Sequence, residues 1–159
     1  MSEGVFKQSS PGKSKSRFEF KFHNKEVVFE IDQLASKSDK SIICRYGNTT
    51  VLTVLTIKQL TKRVNSFFPL TITFEEKFYS VGRIPNVFTK REGKPSYDAI
   101  TAARLIDRSL RSFFPFPSSQ EVQITNSVLS LDPECDPRVV AIWNSFLVSF
   151  LSPNFTASL

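Results

Sequence analysis

The sequence has little of several residue types on which common classes of protein depend. Its 159 residues include two cysteines, one histidine and five glycines. Cys44 and Cys135 lie far apart and match no metal-binding spacing. Because His23 is the single histidine, a Ser–His–Asp hydrolase or a multi-histidine metal site has little support. The low glycine count argues against disorder for most of the length.

Long apolar runs are also missing. No run reaches the roughly 18–20 residues that a membrane-spanning helix needs. The N-terminal segment is polar and basic and lacks the apolar stretch of a signal peptide. We therefore expect a cytoplasmic protein with no membrane partner. Hydrophobic residues make up 40% of the chain, including 16 phenylalanines, so a packed core is expected.

Positive charge is abundant. The formal net charge is +6 and the sequence pI is about 9.5, which favours attraction to polyanions, although a basic surface can also serve solubility alone. Cations and aromatic rings alternate through the middle third: Lys77, Arg83, Lys90, Arg91, Lys94, Arg104, Arg108 and Arg111, with Phe78, Tyr79 and Phe88. Cations neutralise a phosphate backbone and rings stack on unpaired bases, so this stretch predicts a surface for single-stranded nucleic acid.

Alternating apolar residues predict most of the strands. Residues 18–31 alternate around a break at His23, which predicts a β-hairpin. Further strands are predicted at 41–46, 49–57, 67–75 and 122–131, with an irregular loop at 82–95. We expect a flexible basic arm at 1–17, one domain at 18–153 and a tail at 154–159.

Two helices are predicted from caps and spacing. Ser96 caps the first helix, whose buried stripe is predicted as Ala99, Ala103, Ile106, Leu110 and Phe113. Asp136 and Pro137 begin the second, with a predicted apolar face of Val139, Ile142, Trp143, Phe146 and Phe150. The order of elements predicts an α+β fold, with helices on one face of a mostly antiparallel sheet.

Three acidic residues, Asp132, Glu134 and Asp136, alternate before the second helix. They lack the glycine and distal glutamate of a calcium loop, so we interpret the segment as a strand-to-helix turn. Glu75 and Glu76 are adjacent in a predicted strand and point to opposite faces. No carboxylate pair for acid–base catalysis emerges.

An ordered series of motifs resembles a known family. The pieces are GNTTVL (47–52), FFPLT (67–71), EKFYSVGRIP (76–85), FTKREGKP (88–95), ARLIDRSLR (103–111) and VLSLD..CDP (128–137). From about 19 to 152 they resemble the first core domain of the polynucleotide phosphorylases, in the ribonuclease PH superfamily. The resemblance implies a ribonuclease PH-like fold (ribosomal protein S5 domain 2-like), here incomplete at its C-terminus.

The resemblance implies a polyribonucleotide nucleotidyltransferase, which degrades single-stranded RNA from 3′ to 5′ during mRNA turnover. Inorganic phosphate is the co-substrate, and nucleoside diphosphates are released. In this family the phosphate-binding serines and the residues that hold Mg²⁺ belong to a second core domain. We therefore expect no catalytic residue and no metal ligand in this chain, and an inactive isolated chain. The expected partners are single-stranded RNA, the second core, a homotrimer and an RNA-degradation complex.

The same resemblance assigns RNA contacts. Phe88, Lys90, Arg91 and Lys94 would line the channel for the RNA 3′ end. Lysine at 90 and 94 replaces the family's usual arginine and lacks its bidentate fork, so we expect a weaker grip. Arg111 matches a position associated with RNA handling. Arg104 and Arg108 are divided between RNA contact and structural ion pairing, for which Asp107 is a candidate partner.

Two alternatives to the role as such an enzyme's RNA-channel element stay open. The first is that the chain is a non-catalytic RNA-binding or assembly remnant of the same family. Ribonuclease PH-type tRNA 3′-end processing is the other alternative, and its catalytic acids would come later in the chain.

Missing strands would expose Phe113, Phe114, Phe116 and Trp143 and favour association with another chain.

Overall fold

The computed structural model describes residues 16–64, 67–84, 94–114 and 118–152. Their elements are β1 (Ser16–Phe22), β2 (Lys25–Ile31), β3 (Lys40–Tyr46), β4 (Thr49–Val64), β5 (Leu70–Glu76), a 3-10 turn (Phe78–Val81), α1 (Tyr97–Arg111), β6 (Ser118–Ser130) and α2 (Pro137–Phe150). Among these described residues, neither helix is both long and apolar enough to cross a membrane.

The strands form one six-stranded sheet in the order β1-β2-β3-β4-β6-β5. All neighbours are antiparallel except β5 and β6, which are parallel. Helix α1 connects this parallel pair and packs on β5, while α2 packs on β3 and β4. Apolar residues from both helices join the inward residues of the sheet in one core. The predicted α+β architecture is confirmed.

Two tight turns set the register of the first four strands. His23 and Asn24 join β1 to β2 with φ of 47° and 60°, the left-handed geometry of a two-residue hairpin turn. Gly47, with φ of 57°, has the same role between β3 and β4. A Cβ added there would lie 3.1 Å from the Cys135 sulfur, so glycine is needed for space as well as for φ.

Several predicted boundaries shift, and β6 begins at Ser118 instead of 122. β1 begins at Ser16, which pairs with Ile31, so the last two residues of the predicted arm belong to the sheet. β4 extends to Val64 because its pairing with β6 resumes beyond a bulge at Gln59. β5 begins at Leu70 instead of 67, since Pro69 has no N–H to donate.

Helix α1 begins as predicted. The Ser96 hydroxyl accepts a hydrogen bond from the Ala99 N–H at 3.1 Å. The stripe against β5 is Ala99, Ala102, Ile106 and Leu110. Ala102 thus occupies the core position predicted for Ala103, which is only partly buried. Phe113 lies beyond the end of the helix and is 37% exposed.

The fully buried face of α2 differs from the predicted apolar face. Asp136 caps the helix as expected, accepting from the Arg138 N–H at 2.9 Å. The residues buried in α2, however, are small or polar: Pro137, Val140, Ala141, Asn144, Ser145, Val148 and Ser149. Small side chains allow close approach to the sheet, where the Asn144 side-chain amide donates to the Val51 carbonyl at 3.0 Å. Among the bulky residues, Ile142, Trp143 and Phe146 are partly buried against the core, whereas Val139 and Phe150 are exposed.

Aromatic side chains from α2, β1 and the segment after α1 form a surface that we call the aromatic band, made of Phe22, Phe113, Trp143, Phe146 and Phe150. Edge-to-face contacts join Phe22 to Trp143 and Phe113 to Phe146, each with ring centroids 5.4 Å apart. Phe150 is 48% exposed, whereas Trp143 and Phe146 are partly buried. Phe114 instead stacks on Phe68 at 4.7 Å, and Phe116 lies outside the described residues.

Candidate nucleic-acid interface

The outer face of α1 carries two exposed arginines one helical turn apart, Arg104 and Arg108. Among the residues that the structure describes, neither guanidinium has an ion-pair or hydrogen-bond partner. Asp107, a candidate partner for Arg104 by spacing, is bound to Arg111 instead. Both cations are therefore available to an external anion, as a phosphate contact requires.

Arg111 is in a different situation. Its Nε and Nη2 donate to the two carboxylate oxygens of Asp107 at 3.1 and 2.7 Å. Its Nη1 donates to the Phe68 carbonyl at 2.8 Å, and Nη2 to the Leu70 carbonyl at 3.3 Å. The guanidinium thus ties the end of α1 to the start of β5. The side chain is still 42% exposed, so solvent weakens these bonds without removing them.

The predicted RNA-binding loop is bordered by exposed cations. Arg83 follows Gly82, a left-handed residue with φ of 68°, and Lys94 lies two residues before the cap of α1. Both side chains are exposed. Phe88, Lys90 and Arg91 lie outside the described residues, so their RNA contacts stay predictions. Helix α1 has 15 residues and measures about 21 Å from the first to the last. Lys94 and Arg111 lie near its opposite ends.

Glu76, at the end of β5, is influenced by charges from both helices. Burial raises the pKa of Glu76, and the charges of Asp98 and Asp136 raise that pKa further, while Arg138 opposes the shift. Arg138 hydrogen-bonds to Asp136 through its side chain at 2.6 Å and lowers the pKa of that carboxyl. Arg138 is thus surrounded by acidic groups, which makes it a poor phosphate ligand compared with Arg104.

The interpretation of 132–136 as a turn is confirmed. One Asp132 oxygen accepts from the Glu134 N–H at 3.0 Å, and Asp136 caps α2. Lys25 donates to Glu134 at 2.9 Å and to the Cys135 sulfur at 3.2 Å, and the Glu134 bond is the main cause of its raised pKa. Across 16–64, 67–84, 94–114 and 118–152, no three or more His, Cys, Asp or Glu side chains converge on a possible metal position. We assign no chemical step to a metal held by these residues.

Sequence reasoning missed the contacts that occupy Arg111. The spacing of Asp107 and Arg111 indicates an ion pair. The carbonyls of Phe68 and Leu70, by contrast, come near only after β5 packs beside α1, and no local pattern announces such a contact.

Comparison with known proteins gives a family. The model for the 3′ exoribonuclease family, domain 1, matches residues 23–152. Polyribonucleotide nucleotidyltransferases of Staphylococcus aureus strains JH9 and Newman are each 41% identical over 138 residues, 87% of this chain and 20% of each relative. The chain thus spans about one fifth of the length of these curated relatives.

A solved structure shows the fold. The Archaeoglobus fulgidus exosome with RNA bound to the active site matches with a TM-score of 0.58 and 15% identity, covering 78% of this chain and 51% of that one. Such a likeness establishes a common fold, in agreement with the sheet and two helices described above. From the family match over most of its length, the chain belongs to the 3′ exoribonuclease family, with the ribonuclease PH-like fold of its domain 1.

Proposed function

We propose that this chain is the RNA-guiding part of a phosphorolytic 3′-to-5′ exoribonuclease of the polyribonucleotide nucleotidyltransferase type. The observation that carries the proposal is the pair Arg104 and Arg108, exposed and without a partner in the described structure. They lie on the same helix that follows the cationic loop ending at Lys94. The 41% identity to polyribonucleotide nucleotidyltransferases supports RNA as the polyanion.

The proposed mechanism divides guidance from chemistry. In phosphorolysis, inorganic phosphate attacks the 3′-terminal phosphodiester, and catalysis depends on positioning and on neutralising spread negative charge. Here Lys94, Arg104 and Arg108 hold backbone phosphates, while Phe88, Lys90 and Arg91 guide the RNA end. Phosphate and Mg²⁺ act in a second core outside this chain. The working enzyme is proposed as a cytoplasmic homotrimer, within or beside an RNA-degrading complex.

Salt dependence tests the RNA interface. We expect Arg104→Gln with Arg108→Gln, and separately Lys90→Glu with Arg91→Glu, to weaken binding of a single-stranded RNA oligomer. Each pair should also flatten the plot of log affinity against log salt by roughly one to two units, because fewer counterions are released.

A matched control is Arg45→Gln. Arg45 is an exposed arginine that lies 3.6 Å from Glu30 and follows the inward-facing Cys44, so it points from the opposite face of the sheet. Its substitution should leave the salt slope unchanged. If all variants bind RNA with the wild-type slope, the interface lies elsewhere.

Activity of the isolated chain tests the division of labour. We expect no ADP release from poly(A) in the presence of inorganic phosphate and Mg²⁺, because the phosphate and metal sites are proposed to lie in the second core. ADP release by the purified chain would contradict the proposed arrangement.

The aromatic band favours the assembly role as a second candidate. Rings that are half exposed, as Phe150 is, cost free energy in water and are typical of surfaces that pack against another part of an assembly. An assembly remnant would keep this property without contributing to RNA turnover. Adding the second core would distinguish the two functions, because only the RNA-guiding part should raise the rate of phosphorolysis.

A further inference from the structure

The one aromatic residue of α1 has no role in the fold that the structure describes. Tyr97, the first residue of the helix, is 84% exposed. Within the described residues its ring joins no aromatic pair, although its carbonyl accepts from the Thr101 hydroxyl at 3.0 Å. Neither the buried stripe of α1 nor the contact with α2 uses this side chain.

Helix geometry aligns this ring with the two available arginines. Arg104 and Arg108 follow Tyr97 by seven and eleven residues, which at 3.6 residues per turn places them within about 20° of it around the axis. The corresponding axial separations are about 10 and 16 Å. The three side chains therefore form a line on the outer face of α1, which we call the α1 stripe.

The charges flanking the α1 stripe leave it positive. Asp98, which follows Tyr97, is exposed, and its charge raises the pKa values of Glu76 and Arg138. Asp107 is occupied by Arg111 at 2.7 Å. Thr101, between Tyr97 and Arg104, donates its hydroxyl to the helix backbone and adds no charge. A polyanion on this face thus meets two cations, while Asp98 lies about 100° from Tyr97 around the helix axis.

From this arrangement we infer that Tyr97 is a base-stacking position for single-stranded RNA, with Arg104 and Arg108 holding the adjoining phosphates. The inference rests on the proposed function, because it assumes that RNA follows the outer face of α1. A ring at one end of a line of two cations offers a strand a face for one base and charges for the phosphates that follow it. Stacking tolerates every base and is strongest for purines, so the position would favour adenine-rich RNA over uridine-rich RNA.

Ring removal tests the stacking. Tyr97→Ala should weaken binding of an oligoadenylate by about five- to tenfold, the low end of measured base–aromatic stacking, with the salt slope unchanged. Tyr97→Phe retains the ring and should bind as the wild type does, whereas Tyr97→Leu should resemble Tyr97→Ala. Because the side chain is exposed, the urea midpoint of all three variants should equal that of the wild type.

An abasic oligonucleotide of the same length separates stacking from charge. Tyr97→Ala should bind it as tightly as the wild type does, while Arg104→Gln with Arg108→Gln should weaken it. Equal loss on the abasic and adenine strands, or no loss on either, would overturn the stacking position while leaving the proposed function intact.

Failure of the proposed function has a different signature: the wild-type chain would not bind oligoadenylate at all, and both proposals would fall. If Tyr97→Ala changes the sedimentation coefficient of the chain but not its RNA affinity, the ring belongs to a protein interface, which also overturns the inference.

Discussion

Arg111 offers a sharp separation between structural and RNA-binding roles. The resemblance associates this position with RNA handling, but its guanidinium already binds the Asp107 carboxylate and the carbonyls of Phe68 and Leu70. Arg111→Lys keeps the positive charge and removes the planar fork. A single ammonium cannot bind a carboxylate and two carbonyls in the same geometry. We therefore expect this substitution to affect stability more than RNA affinity.

The contacts set the expected size of the effect. A hydrogen bond from a charged donor contributes about 1.5–3 kcal/mol when shielded, but exposed ion pairs contribute about 0.2–1 kcal/mol. Since the Arg111 side chain is 42% exposed, we expect a loss of about 1–2 kcal/mol in the free energy of unfolding. With a urea dependence of about 1–3 kcal/mol per molar, the midpoint should fall by roughly 0.5–1 M.

Urea unfolding followed by Trp143 fluorescence measures the loss, and an RNA titration on the same samples measures affinity. Arg108→Lys is the matched control, because Arg108 is exposed on the same helix and has no partner within the described residues. Its midpoint should stay at the wild-type value. The reasoning is refuted if Arg111→Lys unfolds with the wild-type midpoint while its RNA affinity drops.

Three further changes test the fold and its surface. Burial raises the pKa of Cys44 to about 12, so the thiol ionises in the unfolded chain first as the pH rises above about 9. The free energy of unfolding should therefore fall by about 1 kcal/mol by pH 10. Chemical unfolding of Cys44→Ala should lack this pH dependence. Ser96→Ala removes the cap of α1 and should cost about 1 kcal/mol in thermal unfolding, whereas Ser96→Thr retains most of it. Phe150→Ser removes an exposed ring of the aromatic band and should reduce concentration-dependent self-association in sedimentation velocity; unchanged association would exclude the band as the contact surface.

Local patterns predicted those parts of the fold that local physics determines. The β1–β2 hairpin followed from alternation and a break at His23. Both helix starts followed from caps, because Ser96 and Asp136 bind N–H groups only two or three residues away. The predicted core stripe of α1 is also nearly correct, because the helix has one apolar face and a charged face opposite it.

The face of α2 could not be predicted in the same way. Hydrophobic spacing selected an apolar face that includes Trp143 and Phe146, which are only partly buried. The sheet instead accepts a small and polar face, on which Ser145 donates to Asn126 at 3.1 Å while Thr53 donates to the same oxygen at 2.6 Å. These bonds offset the cost of burying the polar side chains. Because they join residues far apart in the chain, they cannot be predicted before the position of the helix is known.

The sequence identified the cations of the candidate site, but it could not show which of them are already bound by other residues of the fold. Three arginines share a face of α1 by spacing alone, yet only tertiary contacts show that Arg111 is occupied and that Arg104 and Arg108 are not, within the described residues. Tyr97 was missed because a tyrosine at the start of a helix carries no pattern of its own. Its exposure and its alignment with the arginines emerge only from the structure.

The α1 stripe and the aromatic band are chemically unlike, although both lie on the helical layer of the fold. A polyanion is attracted to the first, and an apolar partner to the second. If RNA binding and assembly use separate surfaces, their free-energy changes should add when Arg104→Gln is combined with Phe150→Ser. RNA titration and sedimentation of the double variant measure both. Coupling greater than about 0.5 kcal/mol would show that one partner covers both surfaces, and the stripe would then belong to the assembly contact.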